Sequence, residues 1–135
     1  MKKDLQDKIY AAAPKLYLKK PSETDKERFS ARQLKRLYGP VQFDVSDGWF
    51  DLLMSLSIKL EAMDGIDSVH VVQVKEKFGG LRFYVNSATS AMYEIIMEAE
   101  VNSYKICEVC GNPGELRRGR WIQTLCDKHA EPDDG

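Results

Sequence analysis

The chain has 135 residues, 43% apolar and 30% charged, a globular composition that excludes a disordered polar chain. Its 20 basic and 21 acidic side chains leave a net charge of −1, which excludes a uniformly basic nucleic-acid protein but not a local patch. No apolar run approaches the ~20 residues of a membrane span. The charged start, Met1-Lys2-Lys3-Asp4, lacks the apolar stretch of a secretory signal, so the expected place is the cytoplasm, with no membrane partner.

Charge is uneven along the chain. Residues 1–40 carry a net of +6 and residues 41–70 a net of −5. Such segments either face different partners or pack together and neutralise each other.

In chain order, Leu5, Ile9, Ala12 and Leu16 recur at helical spacing, and Pro14 predicts that the first helix ends near Ala13. Pro21-Ser22-Glu23-Thr24-Asp25 reads as a helix start capped by Ser22. That helix would run to Gly39-Pro40, with Phe29, Leu34, Leu37 and Tyr38 on one face and Arg28, Arg32, Lys35 and Arg36 largely opposite. A third helix follows Ser46 or Asp47. Its stripe of Trp49, Leu52, Leu53, Leu56, Leu60 and Met63 is the main helical contribution to the core, and Gly65 is placed as a left-handed cap.

The stretch Val69 to Phe78 is rich in β-branched residues and predicts a strand, which Leu81 to Val85 answers across a Gly79-Gly80 turn. That loop pairs Phe78 with Leu81, Glu76 with Phe83 and Val74 with Val85. One face is then apolar except for Glu76, and the other carries Lys75, Lys77, Arg82 and Tyr84. A last helix, capped by Ser87, Thr89 or Ser90, turns Met92, Ile95, Ile96 and Ala99 inward and ends near Tyr104. The expected class is α+β, helices packed on a β-hairpin or small antiparallel sheet. Residues 1–104 form the body, with a helical part at 1–40; residues 105–130 form a metal module, and 131–135 a disordered polar tail.

The metal module carries the most specific signal. Cys107, Cys110, Cys126 and His129 are spaced C-x2-C-x15-C-x2-H. Each x2 pair closes a short turn on one ion, and the intervening segment folds back as a hairpin. An odd number of cysteines without a signal peptide argues against a disulfide framework. The pattern predicts one structural Zn²⁺ per chain, closed by four protein ligands. Glu115-Leu116-Arg117 and Arg120-Trp121-Ile122 would form the hairpin around Arg118-Gly119, and Cys126 to His129 a terminal helical turn.

This module resembles zinc ribbons and short treble clefs. Together with Gly48-Trp49-Phe50 and Val74-Lys75-Glu76-Lys77-Phe78-Gly79-Gly80-Leu81-Arg82-Phe83-Tyr84, it is similar to a family of small uncharacterised bacteriophage and prophage proteins, over residues 44–130. The resemblance implies a bacterial host cytoplasm and a modulator or inhibitor of a host enzyme or defence protein. The leading functional expectation is therefore a non-enzymatic protein that binds a host protein.

The alternative is a nucleic-acid-binding regulator. Lys75, Lys77, Arg82 and Tyr84 on the open strand face, and Arg117, Arg118 and Arg120 on the module, supply phosphate contacts and stacking. Each set also has an ordinary reading as a solvated surface. A third reading, a small metal-dependent nuclease, takes Asp67, Gln73 and Lys75 as a divalent-metal set, though their separation is short for facing strands. Glu76 is either a buried acid or a sheet-end residue reaching water, and His70 is read as structural. No phosphate-loop, G-x-S-x-G or H-E-x-x-H motif occurs.

Overall fold

Helix α1 (Lys3–Ala12) stops where Pro14 denies it a further N–H, and α2 (Pro14–Tyr17) restarts with that proline in its first turn, where no donor is needed. The computed structural model describes residues 1–130, so the tail expected at 131–135 lies outside the described residues. Ile9, Leu16 and Tyr17 of these helices are buried.

Two helices replace the single one expected between Ser22 and Tyr38. α3 (Glu23–Arg28) is capped by Ser22, whose side chain accepts from the Asp25 N–H. Phe29 is then extended, and α4 (Ala31–Tyr38) begins afresh with a capping box, Ser30 and Gln33 each accepting the other's N–H. The Ser-x-x-Gln pattern is the physical cause of the break. The expected apolar face does not reach the core: Phe29, Leu34 and Tyr38 are half-buried and Leu37 is 50% exposed.

The sheet holds a strand the sequence did not yield. β1 (Phe43–Asp44) runs parallel to β2 (Val71–Lys77), with Phe43 beside Val74, and β2 pairs antiparallel with β3 (Gly80–Val85) in the order β1-β2-β3. Between β1 and β2 come a 3-10 turn (Asp47–Trp49), α5 (Phe50–Glu61) and a second 3-10 turn (Ile66–Ser68) preceded by Gly65 at φ +90°. α6 (Ser90–Ser103) follows, capped by Thr89.

The hairpin closes one residue earlier than expected. Lys77 faces Gly80, Glu76 faces Leu81 and Val74 faces Phe83, so the turn residues are Phe78 (φ 53°) and Gly79 (φ 82°). Both positive φ values suit a two-residue turn that follows the strand twist. Gly80 is needed elsewhere, since a Cβ there would collide with the Tyr104 ring. The shift preserves the faces, because side chains alternate with period two. Phe78, however, leaves the predicted buried face and is 63% exposed.

The helices cover one face of this sheet. Trp49, Leu53, Leu56 and Leu60 pack with Phe43, Val74, Leu81, Phe83, Met92 and Ile96 in one core. Each such side chain contributes roughly 1.5–3 kcal/mol on burial. Tyr10, Tyr17 and Phe43 close one end with ring centroids 5.5–5.7 Å apart. α6 also shields the open edge of β3: the Leu81 N–H donates to Ser103 Oγ (2.9 Å) and the Phe83 N–H to Glu100 Oε2 (2.9 Å). No helix among the described residues is long and apolar enough to cross a membrane.

Beyond α6, β4 (Glu115–Arg117) pairs with β5 (Gln123–Leu125), not with Arg120 to Ile122. Those three residues lie in the connecting loop instead. Thr124 is buried, donating its hydroxyl to the Gly79 carbonyl (2.6 Å) and its N–H to Glu108 (3.1 Å), and this anchors the later register. Hydrogen bonds join residues on the two sides of 104/105. Trp49 Nε1 donates to the Ile106 carbonyl (2.9 Å) and the Gly48 N–H to the Glu108 carbonyl (2.9 Å).

Candidate metal centre

Cys107 and Cys110 sit on a tight turn closed by the Gly111 N–H donating to the Cys107 carbonyl (2.9 Å) and the Cys107 N–H to the Asn112 carbonyl (2.8 Å). Gly111 takes φ +82°, and a Cβ on it would come within 2.9 Å of the Gly48 carbonyl oxygen, so glycine is required there twice over. Cys126 and His129 lie on a helical turn after β5, closed by the Ala130 N–H donating to the Cys126 carbonyl (2.9 Å). The β4–β5 hairpin brings the two pairs face to face.

The four donor atoms lie within 4.8 Å of one another. Cys110 Sγ and Cys126 Sγ are 3.7 Å apart, Cys107 Sγ and His129 Nδ1 3.7 Å, and Cys126 Sγ and His129 Nδ1 3.2 Å. A tetrahedron with metal–ligand bonds of about 2.0–2.3 Å has S–S edges of about 3.8 Å and S–N edges of about 3.6 Å. The donors present fit an ion at their centre, and the cluster can bind one.

Burial opposes ionisation of Cys107, but hydrogen bonding from the Cys126, Cys110 and Val109 backbone and from the Cys110 side chain carries its pKa down to about 6. Cys110 moves the other way. The Asn112 backbone favours its thiolate, yet desolvation, the Cys107 and Cys126 sulfurs and the Cys107 charge raise it. A thiol beside a formed thiolate holds its proton until a cation takes the proton's place.

Glu108, between the first two ligands, was not singled out from the sequence, where nothing distinguishes it from a surface acid. It is buried, and its carboxylate accepts from the Thr124 N–H (3.1 Å) and Gln123 Nε2 (3.4 Å). Burial, reinforced by the charge of Glu76, raises its pKa against the backbone bond from Thr124. Glu76 is half-buried and accepts from the Gly79 N–H (2.7 Å), so it braces the β2–β3 turn.

The other candidate residues fall into separate groups. On the open sheet face, Lys75 Nζ stands 5.9 Å from the Tyr84 ring centroid, and Arg82 donates to the Leu81 carbonyl (3.1 Å) and to the Tyr104 hydroxyl (3.2 Å). Lys77 leans over the ring of Phe78 (5.6 Å). Arg117, expected to be free, donates to the Leu125 carbonyl (3.2 Å) and to Asp127 (2.9 Å), and so helps hold the helical turn of the metal cluster. Arg118 and Arg120 are exposed. They border a groove of about 660 Å³ with Leu116, Trp121 and His129, and Trp121 is 73% exposed. His70 is half-buried, its ring edge-on to Tyr38. Asp67 and Gln73 are exposed, Asp67 on the second 3-10 turn and Gln73 on β2, and among the described residues the Cys/His cluster is the one gathering of three or more His, Cys, Asp or Glu side chains that could hold an ion.

No protein-family model, curated protein or solved structure matches the chain.

Proposed function

We propose that the chain is a non-enzymatic binding protein, held in shape by one structural zinc ion, whose partner is another protein. The observation that carries this reading is the display of two aromatic side chains on docked hairpin tips. Phe78 is 63% and Trp121 73% exposed, while Gly79, next to Phe78, lies against Leu116, Gln123 and Thr124 of the module. Phe78 occupies the left-handed region, a conformation that costs a bulky residue about 1–2 kcal/mol, and it does so while staying mostly exposed. Exposed tryptophan beside arginine is the chemistry of interface anchors, and Arg118 and Arg120 flank Trp121.

Three cysteine sulfurs and an imidazole within 4.8 Å of one another support zinc as the ion. Four protein ligands leave it no position for substrate, which supports a structural role. A bacterial host cytoplasm and modulation of the partner rest on the sequence resemblance of residues 44–130 to small bacteriophage and prophage proteins alone, and no comparison bears on it.

Crosslinking capture from bacterial lysate, run with the wild type, Trp121→Ala and Phe78→Asn, tests the proposal. Asn tolerates the left-handed conformation, so Phe78→Asn is expected to keep or slightly raise the melting temperature while weakening capture. Trp121→Ala is expected to abolish capture at unchanged metal content. Identical captured proteins from all three chains would sink the reading. Charge reversal at Arg118 and Arg120 separates the nucleic-acid alternative, since a phosphate-bound complex would lose affinity and salt dependence together.

A further inference from the structure

The basic first third and the acidic second quarter of the chain neutralise each other only in part. Lys2 pairs with Asp47 (3.9 Å), and Lys19 Nζ donates to the carbonyls of Ile66 (3.2 Å) and Asp67 (3.0 Å). Glu61 accepts the N–H groups of Lys15 (2.8 Å) and Leu16 (3.0 Å). None of these contacts touches α4. Of the acids of the preceding α3, Asp25 is engaged by the Tyr38 hydroxyl and Glu23 by Lys26 (3.3 Å), while Glu27 is exposed and makes no ion pair among the described residues.

Arg32, Lys35 and Arg36 of α4 are exposed and make no ion pair among the described residues. With Gln33 they line a recess of about 470 Å³, and Lys35 and Arg36 also border a second one, of about 450 Å³, that reaches His70. The helix is formed in advance of any ligand. Ser30 Oγ accepts from the Gln33 N–H (3.2 Å) and Gln33 Oε1 from the Ser30 N–H (2.9 Å), so the three cations are presented at i, i+3 and i+4 without further ordering of the backbone.

We infer that α4 binds the phosphate backbone of B-form duplex DNA through Arg32, Lys35 and Arg36, without reading sequence. The occupant follows from charge and shape. Duplex DNA carries one negative charge per about 1.7 Å of axis, a dense complement to an unpaired cationic face. An α-helix with its side chains is about 10–12 Å across and the B-form major groove is about 12 Å wide, whereas the major groove of A-form RNA is too narrow for a helix. This surface belongs to a different element from the Phe78 and Trp121 display, so the two proposals stand or fall separately.

The test is fluorescence anisotropy of the full, metal-loaded chain with a labelled 25-base-pair DNA duplex, an RNA duplex of the same sequence and poly-glutamate, from about 50 to 200 mM salt. Three phosphate contacts predict a slope of log K against log salt of about −2.7, or about 40-fold weaker binding across that range. The triple change Arg32→Ala, Lys35→Ala, Arg36→Ala is expected to flatten the slope by about 2.7, and Arg36→Gln alone by about 0.9. Alanine favours helix, and circular dichroism verifies that the triple variant is folded. A Lys8→Ala, Lys59→Ala control and Trp121→Ala are expected to bind DNA as the wild type does. The inference is overturned if the wild type shows no salt-dependent binding, if the folded triple variant keeps the wild-type slope, if Trp121→Ala abolishes DNA binding, or if poly-glutamate or duplex RNA binds as tightly as DNA.

Discussion

Gly48→Ala probes the seam between the helical body and the metal turn, at a residue that ligates nothing. A Cβ at position 48 would meet the Cys107 carbonyl oxygen and lie 2.5–2.6 Å from the Glu108 carbonyl group. Both partners are backbone, so neither can rotate away. Separating the two segments also stretches the Gly48 N–H bond to the Glu108 carbonyl, now 2.9 Å. Overpacking costs about 1–3 kcal/mol and a lost hydrogen bond about 0.5–1.5 kcal/mol, so the expected loss is about 2–4 kcal/mol. For 135 residues the unfolding entropy is about 0.28 kcal/mol/K, which converts to a drop in melting temperature of about 7–14 °C. The same displacement moves Cys107, so metal retention against a competing chelator should fall, by up to about 700-fold if the whole cost falls on the loaded state. Scanning calorimetry and chelator competition measure the two effects. Gly119→Ala is the control, because a Cβ there meets nothing within 4 Å. If Gly48→Ala melts and holds metal like the Gly119→Ala control, the seam does not set the geometry of the cluster.

Cys110→Ser should lower both bound metal and melting temperature, because metal binding is folding free energy; unchanged metal content by atomic absorption would show that the cluster holds no ion through this sulfur. Glu100→Ala removes the acceptor of the Phe83 N–H, so a loss of about 1–3 kcal/mol and faster hydrogen exchange at that amide are expected; an unchanged exchange rate would count against edge protection by α6. Burial chiefly, opposed by the bond to Ser57, raises the Tyr17 pKa above the ordinary tyrosine value of 10.0. The stability tied to this group is therefore complete below pH 10 and declines as pH rises beyond it, while the unfolded chain ionises and the folded one does not. Denaturant melts from pH 8 to 11 should show this decline in the wild type and a shallower one in Tyr17→Phe, and equal slopes would refute it.

The Cys/His cluster was legible because a pair spaced x2 is a local feature: turn length alone brings Cys107 to Cys110 and Cys126 to His129. Some helix caps were legible for the same reason, at Ser22 and, among the three candidates offered, at Thr89, where a side chain meets an N–H three residues on, whereas neither Ser46 nor Asp47 caps α5, which starts at Phe50 without a side-chain cap. The Ser30–Gln33 box was equally local, and its periodic apolar neighbours masked it. Alternation assigned Val74, Leu81 and Phe83 to the buried face, which survives a register change of two. Contacts between distant segments decided the rest. That residue 80 lies on the strand with no room for a side chain reflects the Tyr104 ring over it, more than 20 residues on. β1 exists because Phe43 finds Val74, Glu108 is buried because Thr124 and Gln123 enclose it, and Arg117 is held because Asp127 lies across the hairpin. A sequence states what each residue can bond to; the partner of a residue with no local partner is chosen only when the segments are packed.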